Sequence, residues 1–136
     1  MKKVMTFGTF DILHPGHIHF FKQAKQYGDF LVVGIARDVI AEKLKKHKLV
    51  HNEIERQKVV QELRLVDETM LGDLKDPYKN IKIVKPDVIA LGHDQYFFTI
   101  NLKENLAKLG LHPKIVRLKP YKVDKYKSSK LHDYSK

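Results

Sequence analysis

Val4-Met5-Thr6-Phe7-Gly8-Thr9-Phe10-Asp11-Ile12-Leu13-His14-Pro15-Gly16-His17 is the stretch on which the reading of this chain turns. A short apolar run ends at Gly8, a loop follows, and Pro15 stands where a helix can begin. Proline suits a first helical position because its φ is already fixed and its missing N–H is not needed there. The unpaired amides and the positive dipole end of a helix start attract an anion, and Gly16 lets backbone approach it closely. The three-residue spacing brings His14 and His17 to one face, so that both imidazoles reach one polyphosphate. The same dipole disfavours the protonated form of His17, which is expected to act as a neutral hydrogen-bond donor.

Downstream, apolar runs alternate with amphipathic ones. Ile18 to Tyr27 is helical in spacing and ends at Gly28-Asp29. Phe30 to Ala36 is apolar without alternation, which suits a strand buried on both faces of a parallel sheet. A lysine-rich loop is expected through Lys48, then a helix from about Asn52 to Arg64 with Ile54, Val59, Val60 and Leu63 inward. A strand at Glu68 to Leu71, a short helix before Pro86, a strand at Asp87 to Leu91, a helix at about Asn101 to Leu109 and a strand at Lys114 to Leu118 complete the series. The pattern predicts an α/β, Rossmann-like, doubly wound parallel sheet of about five strands with helices on both faces. In such folds ligands sit at the carboxyl ends of strands where the strand order reverses.

With 136 residues and 43% apolar content, one domain spanning 1–136 is expected, carrying a mobile polar segment from about residue 119. The absence of cysteine excludes disulfides and thiolate metal sites. No signal peptide or membrane-length apolar run is visible, so a soluble cytoplasmic protein is expected. The net charge of +10 invites nucleic acid as a partner, but the lysines are scattered and no base-stacking aromatic motif accompanies them. Nucleic acid therefore ranks behind polyanionic small substrates.

Gly8-Thr9-Phe10-Asp11 followed by His14-Pro15-Gly16-His17 resembles the signature of the HxGH nucleotidyltransferases, in the cytidylyltransferase-like branch. Further segments resemble the family too: Lys45 to Arg56, where a loop lysine precedes an arginine by eleven residues; Arg64-Leu65-Val66-Asp67; Ile89 to Gln95; and Tyr126 to Leu131. In the last, Ser128 and Ser129 match hydroxyls that begin a final helix, although Lys127 replaces the first of the family's hydroxyl residues. The resemblance implies transfer of a nucleoside monophosphate to a phosphate-bearing acceptor with release of pyrophosphate. It implies catalytic roles for His14, His17 and Lys45, with His17 on the α-phosphate and His14 and Lys45 on the leaving side. Nucleotide contacts are implied at Thr9, Phe10, His14, Gly16, His17, Gly92, Asp94, Arg117, Ser128 and Ser129, and acceptor contacts at Asp11, Arg56, Arg64, Asp94 and Tyr121. The competing readings are a solvated lysine face for Lys45, Lys46 and Lys48, and surface pairs with Glu53 or Glu62 for the two arginines.

Mg²⁺ is expected with the nucleotide, bridging phosphate oxygens, with no metal ligand assigned to a protein side chain. A homodimer is also implied. A narrower likeness, carried by Lys85 to Gln95, Ala36-Arg37-Asp38 and Ile115 to Leu118, is to archaeal FAD synthetases, which adenylate FMN with ATP. Tyr96, Phe97, Phe98, Tyr121 and Tyr126 offer a flat wall for a flavin ring, or else Phe97 and Phe98 pack the following helix. Members of that group carry cysteines near the C-terminus and this chain has none, so thiol regulation is excluded. The alternatives are a CTP-dependent cytidylyltransferase acting on glycerol 3-phosphate or a similar small phosphate, and a binding module without turnover.

Overall fold

The computed structural model describes residues 1–45, 48–93, 95 and 101–120, with Lys45 described in its backbone only. Five parallel strands, β1 (Lys3–Gly8), β2 (Phe30–Ile35), β3 (Glu68–Leu71), β4 (Val88–Leu91) and β5 (Lys114–Arg117), lie in the order β3-β2-β1-β4-β5. The order reverses between β1 and β4, as a doubly wound sheet requires. The helices α1 (Pro15–Lys25), α2 (Asp38–Lys45), α3 (Glu53–Gln61), α4 (Lys79–Val84) and α5 (Leu102–Lys108) connect them.

Side chains alternate across a strand, and the core divides accordingly. Val4, Leu31, Val33, Val88 and Ala90 pack with Phe21, Ala24 and Val60 on one face. Met5, Val32, Ile89 and Leu91 pack with Ile81, Leu102 and Leu106 on the other. Leu31 through Ile35 are all buried, so the unbroken apolar run was the right sign of a two-sided strand.

Two expectations are corrected. The lysine-rich loop after Arg37 begins as α2, because Asp38 to Lys45 contains neither glycine nor proline and several strong helix formers. In α3 the inward stripe is Arg56 and Val60, four residues apart, while Ile54 and Val59 are about half exposed. A basic residue occupies the buried face there, which an apolar pattern alone does not reveal.

Beyond Met5 the two central strands part. β1 pairs with β2 over all six of its residues, but with β4 only at Val4 and Met5. In a doubly wound sheet this division at the carboxyl edge is where a ligand crevice is expected.

Candidate active site

At the mouth of that crevice, β1 ends in Gly8 and the chain turns through Thr9, Phe10 and Asp11 into α1. Phe10 adopts φ 54°, a left-handed conformation rare for a bulky residue and strained by about 1–3 kcal/mol. Its ring is buried, lies over Gly8, and meets Phe21 at 5.1 Å and the edge of His17 at 5.5 Å between centroids. A Cβ on Gly8 would stand 2.5 Å from the Phe10 ring, so the glycine is required by close approach.

His14 is the N-cap of α1, with Pro15 at the first helical position. Its Nδ1 accepts from the Gly16 amide at 3.0 Å, and the His14 amide donates to His17 Nδ1 at 3.3 Å, a reciprocal capping box made of two imidazoles. The rings stack at 4.0 Å between centroids. A neutral imidazole has one donor and one acceptor, so these bonds assign both protons to Nε2. Burial holds the pKa of His14 below its ordinary value, favouring that neutral form.

The capping also corrects a detail. Pro15 has no N–H, the Gly16 amide serves His14, and the His17 amide donates to the His14 carbonyl at 2.9 Å. The first-turn amides of Gly16 and His17 thus have partners within the helix start.

Asp11 is buried, its Oδ2 accepting from the Val50 amide at 2.9 Å and its Oδ1 from that of His51 at 2.8 Å. Arg56 is 1% exposed. Its guanidinium donates to the carbonyls of Thr9 (2.7 Å), Ala36 (2.8 Å) and His51 (3.1 Å) and to Asp38 Oδ1 (2.8 Å). The expectation that Arg56 meets an acceptor phosphate is therefore corrected: the buried fork grips backbone. Arg64 stands apart from Arg56. It is exposed in the turn leading from α3 to the amino ends of the strands, three residues before Asp67, whose carboxylate accepts from the Leu31 amide and pairs with Lys25.

Across the division, Gly92 follows β4 and Arg117 ends β5. Arg117 Nη1 donates to the Gly92 carbonyl at 2.8 Å and to that of Gln95 at 2.6 Å. The Gln95 amide group donates to the Phe7 carbonyl and accepts from the Gly92 amide at 2.8 Å, bridging β1 and β4 where their direct pairing stops. Gln95 lies within the segment Ile89 to Gln95 that resembles the family, and the residue pattern alone assigns it no role. Only the strand order reveals which backbone groups it joins. Lys46, Asp94, Tyr96, Phe97, Phe98, Tyr121, Tyr126, Ser128 and Ser129, and the side chain of Lys45, lie outside the described residues.

Two imidazoles thus cap a helix start beside the order reversal of a parallel sheet, and the chain's relatives give the class of protein that carries them: a nucleotidyltransferase. The chain belongs to the cytidylyltransferase-like family, whose profile matches residues 5–132. It is 50% identical over 121 residues to an FAD synthase of Ferroglobus placidus, covering 88% of this chain and 77% of that protein. It is 47% identical over 121 residues to an FAD synthase of Aciduliprofundum boonei, covering 89% and 80%. A crystal structure described as a lipopolysaccharide core biosynthesis protein from Thermoplasma volcanium superposes with a TM-score of 0.83 at 43% identity, covering 89% of this chain and 98% of that one.

Proposed function

We propose that the chain transfers AMP from ATP to FMN, forming FAD and releasing pyrophosphate. The observation that carries this reading is the imidazole pair, 4.0 Å apart with both Nδ1 atoms committed to the helix cap, in a chain about half identical to FAD synthases. An oxygen of the FMN phosphate attacks the α-phosphorus in line, a P–O bond forms, and the bond to the pyrophosphate oxygen breaks. Nothing covalent is asked of the protein, so catalysis rests on alignment and on donors placed where charge builds. His17 Nε2–H is assigned to the α-phosphate, and His14 Nε2–H with Lys45 to the leaving pyrophosphate. Ser129 is assigned to the terminal phosphates, and Asp94 and Tyr121 to contacts around the acceptor.

Magnesium enters with ATP as part of the substrate. Asp11 accepts from two amides and Asp38 Oδ1 from Arg56, and we assign no side chain among the described residues to the cation. We also assign the protein to the cytoplasm as a homodimer, a state that light scattering after gel filtration reads directly; a monomer mass would remove it.

The reaction is tested by pyrophosphate release with ATP or CTP against FMN and glycerol 3-phosphate. Turnover is expected with ATP and FMN, and turnover confined to CTP with glycerol 3-phosphate would overturn the assignment. His17→Ala should lower kcat at least a hundredfold while ATP binding stays measurable by calorimetry. Wild-type turnover in that variant would remove His17 from the mechanism.

A further inference from the structure

A charge buried as deeply as Arg56 is costly unless it is fully paired, and an apolar side chain would fill the same space more cheaply. What an apolar side chain cannot do is join loops. The four acceptors of Arg56 come from three separate segments at the carboxyl edge: Thr9 after β1, Ala36 and Asp38 after β2, and His51 before α3. None belongs to the core between sheet and helices.

Asp11 completes the arrangement from the other side. The His51 unit has its N–H held by Asp11 Oδ1 and its C=O held by Arg56 Nε, and the neighbouring Val50 amide is held by Asp11 Oδ2. Residues 50 and 51 can neither rotate nor slide without breaking bonds to the loop that enters α1. Asn52 and Glu55 then fix the start of α3 by a capping box, at 2.9 and 3.0 Å. The segment so fixed is the exit of the lysine-bearing stretch, and the loop that fixes it leads three residues later to His14.

We infer that Arg56 and Asp11 are positioning residues that hold the exit of the lysine-bearing segment at a set distance from the histidine helix. This inference rests on the proposed function, in which both elements touch one triphosphate. The pair touches no substrate itself. It sets the geometry in which two halves of the phosphate site act together, and a mismatch of about 1 Å in such a geometry costs on the order of a hundredfold in rate.

Two measurements test it. The first is a double-mutant cycle on the full chain, combining Asp11→Asn with the triple change Lys45→Ala, Lys46→Ala, Lys48→Ala, with kcat and both KM values read at saturating co-substrate. Asparagine keeps one acceptor oxygen and loses the other. Asp11→Asn is expected to lower kcat about tenfold or more and to leave the FMN KM within twofold, with circular dichroism unchanged. In the background lacking the lysines, the same substitution should lower kcat by less than twofold. Losses that multiply in full would make Asp11 a structural residue only and overturn the inference, leaving the proposed reaction intact. A lysine-free chain with wild-type kcat would overturn both the inference and the lysine assignment.

The second measurement needs no variant. Val50 is more than half exposed, and its amide exchanges within seconds unless Asp11 holds it. Hydrogen exchange in the wild-type protein should show the Val50 and His51 amides protected at least a hundredfold. Exchange at the rate of an open loop would overturn the clamp directly.

Discussion

Each imidazole at the start of α1 turns one nitrogen toward the backbone, which makes the state of that nitrogen a condition for the site. Protonated His14 carries a proton on Nδ1 and can no longer accept from Gly16. Burial lowers its folded pKa beneath the ordinary 6.5, so as pH falls the unfolded chain takes up the proton first. The stability tied to neutral His14 is accordingly whole above 6.5 and is lost as pH drops from there to the depressed folded value. Activity should follow the same group, with kcat/KM flat above about 6.5 and an acid limb centred lower. His14→Asn tests the cause, because asparagine also caps a helix but does not titrate in this range. The variant should be slower yet lack the acid limb. If the limb persists in it, or the wild-type limb is centred at or above 6.5, another group governs the profile.

Helix ends show where sequence and geometry agree and where they conflict. Asn52 and Glu55 form a capping box that the residue types announce, whereas α4 stops at Lys85 in the left-handed conformation, φ 51° and ψ 61°. A non-glycine residue there costs about 1–2 kcal/mol, partly offset by the greater unfolded freedom of glycine. Lys85 is exposed, so Lys85→Gly should raise stability by about 0.5–1 kcal/mol, or about 2–4 °C in Tm. Lys85→Ala is the comparison, since it removes the side chain and keeps the strain. Calorimetry showing glycine no better than alanine would mean the backbone is not strained at this point. The contrast explains what the chain made legible. The central strands β2 and β4 are readable because residues such as Leu31 to Ile35 are apolar on both faces, and the histidine helix because its cap, proline and glycine lie within four positions. The inward turn of Arg56 was not readable, because its acceptors on Thr9, Ala36 and His51 are brought together only by folding. Gln95 was opaque for the same reason: its partners belong to two strands whose adjacency is a property of the whole sheet.

At the scale of the molecule the net charge of +10 poses a question of range. A polyanionic substrate is drawn to a cationic protein, yet Lys2, Lys3, Lys25, Lys85 and Lys114 gather at the amino ends of the strands, opposite the crevice. Six strand residues span about 20 Å, and two unit charges at that distance in water interact by only about 0.2 kcal/mol. At 0.15 M ionic strength the screening length is about 8 Å and this attraction nearly vanishes, whereas at 0.01 M it is about 30 Å and roughly half survives. The distant lysines therefore assist capture only in dilute salt, and the steering that persists at 0.15 M must come from cations at the carboxyl edge. Lys2→Gln combined with Lys114→Gln removes two exposed charges from the far end without touching the site. The KM for ATP of this double variant should match wild type within measurement error at 0.15 M and rise about twofold at 0.01 M. Adenosine, a competitive ligand without phosphates, should show the same inhibition constant in both proteins at both salts. An equal rise at both ionic strengths would mean that the substitutions act through the fold. A shift for adenosine as large as that for ATP would mean that the charge excess does not act on the phosphates at all.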